Sequence, residues 1–231
     1  GGIISTVNGN LTISNSTGGG AGSGTGNYGV YITGTNSTIK TTGSGSLSVT
    51  GTGGNGSGSG GTNYGVYCNS VSCIQSTTTG TVTVTGTGGN GSGSGASNYG
   101  IYTDAGNSIT AAGAAITMTG TGGASTGNTN YGIYIVGASA VFSNTGTGTI
   151  HITANGGGVT NSDSDYGLYV NTGAVISTVN GNLTVIGTGG GAGSGTTQLG
   201  VRVSTTSSTI KATGDGNISV TGTGGNANGS G

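Results

Sequence analysis

The side chains able to take part in chemistry are few. The acids are Asp104, Asp163, Asp165 and Asp215 with no Glu, the cations are Lys40, Arg202 and Lys211, and one histidine, His151, joins two cysteines, Cys68 and Cys73. General acid–base work or oxygen-ligand metal binding would have to come from this set. The four aspartates fall in different parts of the chain, so no paired carboxylates of the kind polysaccharide-cleaving enzymes use are visible, and the sequence reads as non-enzymatic with no catalytic residue. Asp163-Ser164-Asp165 has the composition of a weak cation loop, but the Gly-Gly-x-Gly-x-Asp calcium pattern does not occur. His151 has no carboxylate close in sequence and reads as a solvated strand residue. Cys68 and Cys73 are five residues apart, a spacing that matches neither a redox nor a zinc motif. They form either a disulfide stapling a corner or two reduced, buried thiols. No cofactor or metal is implied.

Tyrosine is the other reactive type, and all ten tyrosines lie in one recurring phrase. Asn27-Tyr28-Gly29-Val30-Tyr31 returns around Gly65, Gly100, Gly132 and Gly167, then degenerates to Gln198-Leu199-Gly200-Val201-Arg202. The glycine recurs every 32 to 36 residues, the period of stacked repeat architectures. A second block, Thr-Gly-Thr-Gly-Gly, stands at Thr50–Gly54, Thr85–Gly89, Thr119–Gly123 and Thr221–Gly225. It leads into Gly/Ser runs such as Gly56–Gly61 and Gly91–Gly95, which are turn material. A longer echo sits above these: Ile4–Thr12 recurs as Ile176–Thr184, and Ser37–Lys40 as Ser208–Lys211. The whole chain, residues 1–231, therefore reads as one repeat array, a segment or repeating unit of a longer fibre.

Composition supports an unusual fold. The chain has 59 glycines, no proline, no tryptophan and 3% charged residues, against about 25% charged in ordinary soluble domains. Without proline or a three-residue glycine period it is not collagen, and a net charge of −1 is not that of a charged disordered chain. Three cations cannot neutralise a run of phosphates, which argues against nucleic-acid binding. No stretch approaches the roughly 20 apolar residues of a helical span, so membrane insertion is not expected.

Within each repeat, apolar and small polar residues alternate, the period of half-buried strands. One strand is the tyrosine phrase. Its alternation, and the replacement of the two tyrosines by Leu199 and Arg202 in the last phrase, predict that the first tyrosine points inward and the second outward. A second strand centres on Ile39, Ile74, Ile109, Val141, Ile176 and Ile210. A third carries inward pairs, from Leu11 and Ile13 through Leu47 and Val49 to Ile218 and Val220. The prediction is an all-β parallel β-solenoid of about seven coils, each of roughly 34 residues with three short strands. A single coil buries too little apolar surface to offset the entropy of ordering it, so coils must stack.

Two outward columns follow from this arrangement. Tyr31, Tyr67, Tyr102, Tyr134 and Tyr169 form an aromatic ladder, able to pack laterally or to stack on sugar rings, or serving only to stabilise the sheet. Thr12, Ser48, Thr83, Thr117, Thr184 and Ser219, interrupted by His151, form a hydroxyl column. Such a column could accept O-linked glycans or present a flat ice-binding face. Asn-x-Ser/Thr acceptor sequences occur at Asn10, Asn15, Asn36, Asn55, Asn90, Asn182, Asn217 and Asn228, about as often as chance gives in this composition.

The Tyr-Gly-Val-Tyr phrase, the Leu-x-Val-Thr-Gly-Thr-Gly-Gly strand and turn at Leu47–Gly54 and the Gly/Ser run resemble the large secreted bacterial β-strand-repeat proteins. These include filamentous-haemagglutinin-like surface adhesins and fibre-forming solenoids. The resemblance covers essentially the whole chain. It implies a secreted or cell-surface structural protein, a filament, matrix or adhesin-stalk segment, whose partners are other copies of itself and, in an adhesive role, surface glycans.

Overall fold

The computed structural model describes residues 1–231 except 21, 55–57, 90, 92, 105, 107, 192–194 and 226–231; the acceptor asparagines Asn55, Asn90 and Asn228 lie outside the described residues, as do parts of the Gly/Ser runs. The chain winds as a parallel β-solenoid whose turns each contribute one strand to three sheets. Sheet A stacks seven strands (Ile3–Thr6, Thr38–Thr41, Ile74–Ser76, Ile109–Ala111, Val141–Asn144, Val175–Thr178 and Thr209–Ala212). Sheet B stacks the seven longest, from Leu11–Thr17 and Leu47–Thr52 to Leu183–Thr188 and Ile218–Thr223. Sheet C has six: Val30–Thr33, Val66–Asn69, Ile101–Thr103, Ile133–Val136, Leu168–Asn171 and Val201–Val203. The described strands thus make six full turns and two thirds of a seventh.

Sheet B follows the alternation seen in the sequence. Leu47, Val82, Ile116, Ile150 and Leu183 pair in register, as do Val49, Val84, Met118, Ile152 and Val185, and all ten are buried. From the second turn onward these strands match residue for residue over their full length; a register shift occurs only between the first two, at Ile13 and Ser16. Parallel pairing places like side chains over one another, so one aliphatic choice repeated in every turn yields a continuous core. Val30, Val66, Ile101, Ile133 and Leu168 of sheet C close that core from another side.

Sheet A corrects one detail. The inward column runs Ile39, Ile74, Ile109, Phe142, Ile176 and Ile210, so Phe142 rather than Val141 occupies it. Val141 pairs instead with Val175 and is only partly buried. Two adjacent apolar residues make parity ambiguous in the sequence, and the larger ring takes the interior. A second inward column on this sheet, Thr41, Ser76, Ala111, Asn144 and Thr178, is polar except at Ala111. The hydroxyls of Thr41, Ser76 and Thr178 are buried without a hydrogen-bond partner.

Candidate functional surfaces

The corner between sheets B and C determines where the tyrosines go. At Gly65 an added Cβ would lie 2.3 Å from the Thr87 backbone nitrogen and 2.6 Å from the Gly100 carbonyl oxygen, so no side chain fits. The chain bends at this glycine in each turn. The bend breaks strand alternation, and the residue before the glycine no longer shares a face with the valine after it. This overturns the inward placement of the first tyrosine. Tyr64, Tyr99, Tyr131 and Tyr166 are buried, but in a cluster apart from the aliphatic core, packed against the second tyrosines.

The aromatic surface is consequently a double ladder. Along the first column the rings stack, with centroids 4.9 Å apart and planes at 5° for Tyr64 and Tyr99, and 5.0 Å and 1° for Tyr99 and Tyr131. Along the second, Tyr31, Tyr67, Tyr102, Tyr134 and Tyr169 stack at 4.9 to 5.4 Å. Between columns the rings meet edge to face, as Tyr64 with Tyr67 at 87° and Tyr166 with Tyr169 at 89°. Both geometries are favourable for the aromatic quadrupole. The column read as outward is therefore graded: Tyr31 is 47% exposed, Tyr102, Tyr134 and Tyr169 are half-buried, and Tyr67 is buried. Arg202, next in register after Tyr169, lies over the end of the stack. Its guanidinium carbon is 5.2 Å from the Tyr166 centroid and 4.9 Å from that of Tyr169.

Beneath the rings runs a spine of amides that the sequence reading left unassigned. The residues opening the phrases, Asn27, Asn63, Asn98, Asn130, Asp165 and Gln198, are linked from turn to turn through their side chains. The backbone N–H of Asn63 donates to Asn98 Oδ1 at 3.1 Å, that of Asn98 to Asn130 Oδ1 at 3.2 Å and that of Asn130 to Asp165 Oδ1 at 2.7 Å; the Asp165 N–H donates to Gln198 Oε1 at 2.9 Å. Each asparagine also donates from Nδ2 to the carbonyl three residues earlier, at 3.0 Å for Asn27 and 2.8 Å for Asn98. The residue before each spine member has positive φ: Thr62 at 58°, Ser97 at 61°, Thr129 at 63°, Ser164 at 58° and Thr197 at 60°. Such backbone is costly for a β-branched residue and persists where surrounding bonds hold it. The signal was the amide recurring at a fixed offset before glycine, which reads equally well as turn chemistry.

Asp165 is the odd member of the spine. It is buried, its Oδ1 accepts from both Asn130 nitrogens, and its Oδ2 has no partner. Burial pushes its carboxyl up to about 6, against the hydrogen bonds from Asn130 that pull the other way. Asp163 is committed elsewhere, its Oδ1 accepting from the Thr196 hydroxyl at 3.2 Å and from the Thr196 backbone N–H. The two aspartates do not converge on a common point, and no cluster of three or more potential metal ligands occurs among the described residues.

Sheet B carries the hydroxyl face. Thr12, Ser48, Thr83, Thr117, His151, Thr184 and Ser219 pair in one register column. Two further outward columns flank it: Thr50, Thr85, Thr119, Thr153, Ile186 and Thr221, then Thr52, Thr87, Thr121, Asn155, Thr188 and Thr223. The corner threonines Thr42, Thr77, Thr145 and Thr213 spend their hydroxyls on backbone carbonyls of the neighbouring turn. Thr83, Thr85, Thr117 and Thr119 occupy the outward, half-buried positions of their strands, alternating with the buried aliphatic residues. His151 is exposed, with Nε2 3.4 Å from the Thr153 hydroxyl.

Cys68 and Cys73 are joined as a disulfide across the corner between sheets C and A, their Cα atoms 5.9 Å apart, and both are buried. In the next turn Thr103 and Ser108 meet at the same corner through their hydroxyls. A hollow of about 520 Å³ is lined by Ile3, Ile4, Ile13, Val30 and Ile32 of the first turn and by Ile39 of the strand that follows it. Among the described residues no helix is long and apolar enough to cross a membrane. Comparison with protein-family models, with curated proteins and with solved structures finds no match to this chain.

Proposed function

We propose that this chain is a rod segment of an extracellular fibre, matrix or adhesin stalk, and that it lengthens by stacking coil on coil. The observation that carries the reading is the sameness of the sheet B joints beyond the first. From the second turn to the last, the sheet B ladder joins each turn to the next in one unshifted register. The same inward columns, Leu47 to Leu183 and Val49 to Val185, are presented by turn after turn. Unpaired strand edges bearing apolar side chains template further pairing, and head-to-tail contact that does not close produces filaments. The disulfide and the likeness to secreted strand-repeat proteins support a location outside the reducing cytoplasm. The dispersal of the aspartates, with Asp104, Asp163 and Asp165 each held in a separate hydrogen-bonded setting, supports a non-catalytic role.

Purified protein is expected to form rods in negative stain whose length grows with concentration, and Ile3→Lys with Ile4→Lys is expected to shorten them. Single particles of one length at every concentration, seen also by sedimentation, would overturn the stacking mechanism.

A second reading concerns sheet B. Its three hydroxyl columns on an unshifted ladder favour an ice-binding face, tested by thermal hysteresis and by its loss in Thr83→Lys. Sugar stacking on the tyrosines draws less support, because neighbouring rings already cover the ring faces along the ladder.

A further inference from the structure

The double ladder brings ten phenols into continuous ring contact, with every successive pair of centroids 4.9 to 5.5 Å apart. Its members are not chemically equivalent. Tyr67 Oη donates to Asp104 Oδ2 at 2.9 Å and accepts from Asn69 Nδ2 at 3.0 Å. At the far end the partners are donors: Arg202 Nη1 donates to Tyr166 Oη at 2.6 Å, and Asn171 Nδ2 donates to Tyr134 Oη at 3.4 Å. A phenol that loses an electron becomes strongly acidic, so the electron leaves most readily where a base already holds the proton. A guanidinium over the rings opposes positive charge there, whereas a carboxylate favours it. Oxidation is thus hardest beneath Arg202 and easiest at Tyr67.

We propose that the double ladder is a one-electron relay whose resting site is Tyr67, filled by a surface oxidant of the peroxidase-type haem or photo-excited metal-complex class. In the step, the oxidant gains one electron, drawn through the stacked rings from Tyr67. The Tyr67 Oη proton passes along its hydrogen bond to Asp104 Oδ2, leaving a neutral phenoxyl radical beside a carboxylic acid. Asn69 keeps its hydrogen bond to the radical oxygen. A one-electron donor reverses the step, returning the proton from Asp104 to Tyr67.

The test places a photo-oxidant at the opposite end. Thr206→Cys lies in the turn after the strand carrying Arg202 and offers the one free thiol, since Cys68 and Cys73 are bridged. It is labelled with a ruthenium polypyridyl complex and illuminated with a sacrificial acceptor; radicals are caught with a nitroso spin trap and mapped by peptide mass spectrometry. Adducts are expected chiefly at Tyr67, although Tyr31 is far more exposed. The Tyr67 yield is expected to fall at least fivefold in Asp104→Asn, to recover in Asp104→Glu, and to fall when Tyr99→Phe and Tyr102→Phe interrupt the relay. Adducts that follow exposure, with Tyr31 foremost, or that stay at Tyr166 and Tyr169, would overturn the proposal. So would a Tyr67 yield unchanged in Asp104→Asn, a surface substitution that leaves the packed rings in place.

Discussion

Replacing Asp165 by asparagine completes the amide spine and removes its only carboxylate. In the native structure the Asp165 carboxyl is held up at about 6, against an ordinary 3.8, chiefly because the side chain is buried. The sign follows from proton counting. Between those two values the folded chain binds more protons at this site than the unfolded chain, so stability falls as pH rises through the window. It is highest below the unfolded value and stays reduced above the folded one. A shift of about two units at 1.36 kcal/mol each sets a ceiling of about 3 kcal/mol on the loss. Reorganisation around Oδ2 reduces it, and about 1 to 3 kcal/mol is expected. Near the site the other ionisable group is Asp163, which is exposed enough to be screened; Asn130, Gln198 and Ser162 are neutral. Urea denaturation followed by circular dichroism from pH 4 to 7.5 supplies the measurement. Asp165→Asn should be the more stable protein at pH 7, should converge on the native chain near pH 4, and should lack the native decline between. An asparagine variant that is less stable at pH 7, or that keeps the same pH slope, would refute the argument that burial of an unpartnered carboxylate oxygen governs this site.

Other expectations concern packing and the covalent corner. Thr178→Val removes a buried hydroxyl with no partner and keeps the shape, so a gain of about 1 kcal/mol in thermal or chemical unfolding is expected. Gly65→Ala drives a methyl into the Thr87 and Gly100 backbones; the loss is expected to exceed about 3 kcal/mol and to be read as a large fall in melting temperature. Reduction of the Cys68–Cys73 bridge reopens a loop only five residues long, so the chain-entropy relation gives about 2 kcal/mol, measurable as a shift in urea midpoint between oxidised and reduced protein. Tyr99→Ala should cost about 3 kcal/mol and Tyr31→Ala well under half of that, because one ring is enclosed by the ladder and the other stands at its exposed end.

Legibility in the sequence followed the local simplicity of each element. Sheet B could be read to the residue, because Leu47-Ser48-Val49 and its equivalents alternate without interruption and the structure pairs them in the expected register. Sheet A was readable except where Val141 and Phe142 stand side by side, since alternation cannot choose between two apolar neighbours. The tyrosine phrase misled because a period-two reading assumes an unbroken strand, and the bend at its glycine reverses the side of everything before it. From Leu199 and Arg202 the second position was rightly seen to tolerate charge. What the substitution reflects is a cation seated on an aromatic stack, as the distances to Tyr166 and Tyr169 show. The amide spine stayed hidden for a different reason. Its bonds run between residues 32 to 36 positions apart, and nothing local separates such an asparagine from one that merely forms a turn.

The unshifted register of sheet B has a genetic consequence. Because adjoining turns from the second onward meet through the same sheet B pairing, gain or loss of one whole turn there in the coding sequence leaves every remaining sheet B joint chemically familiar. Overall reach can thus drift in steps of a single turn, while an insertion of one residue inside a sheet B strand would throw its inward side chains to the outside.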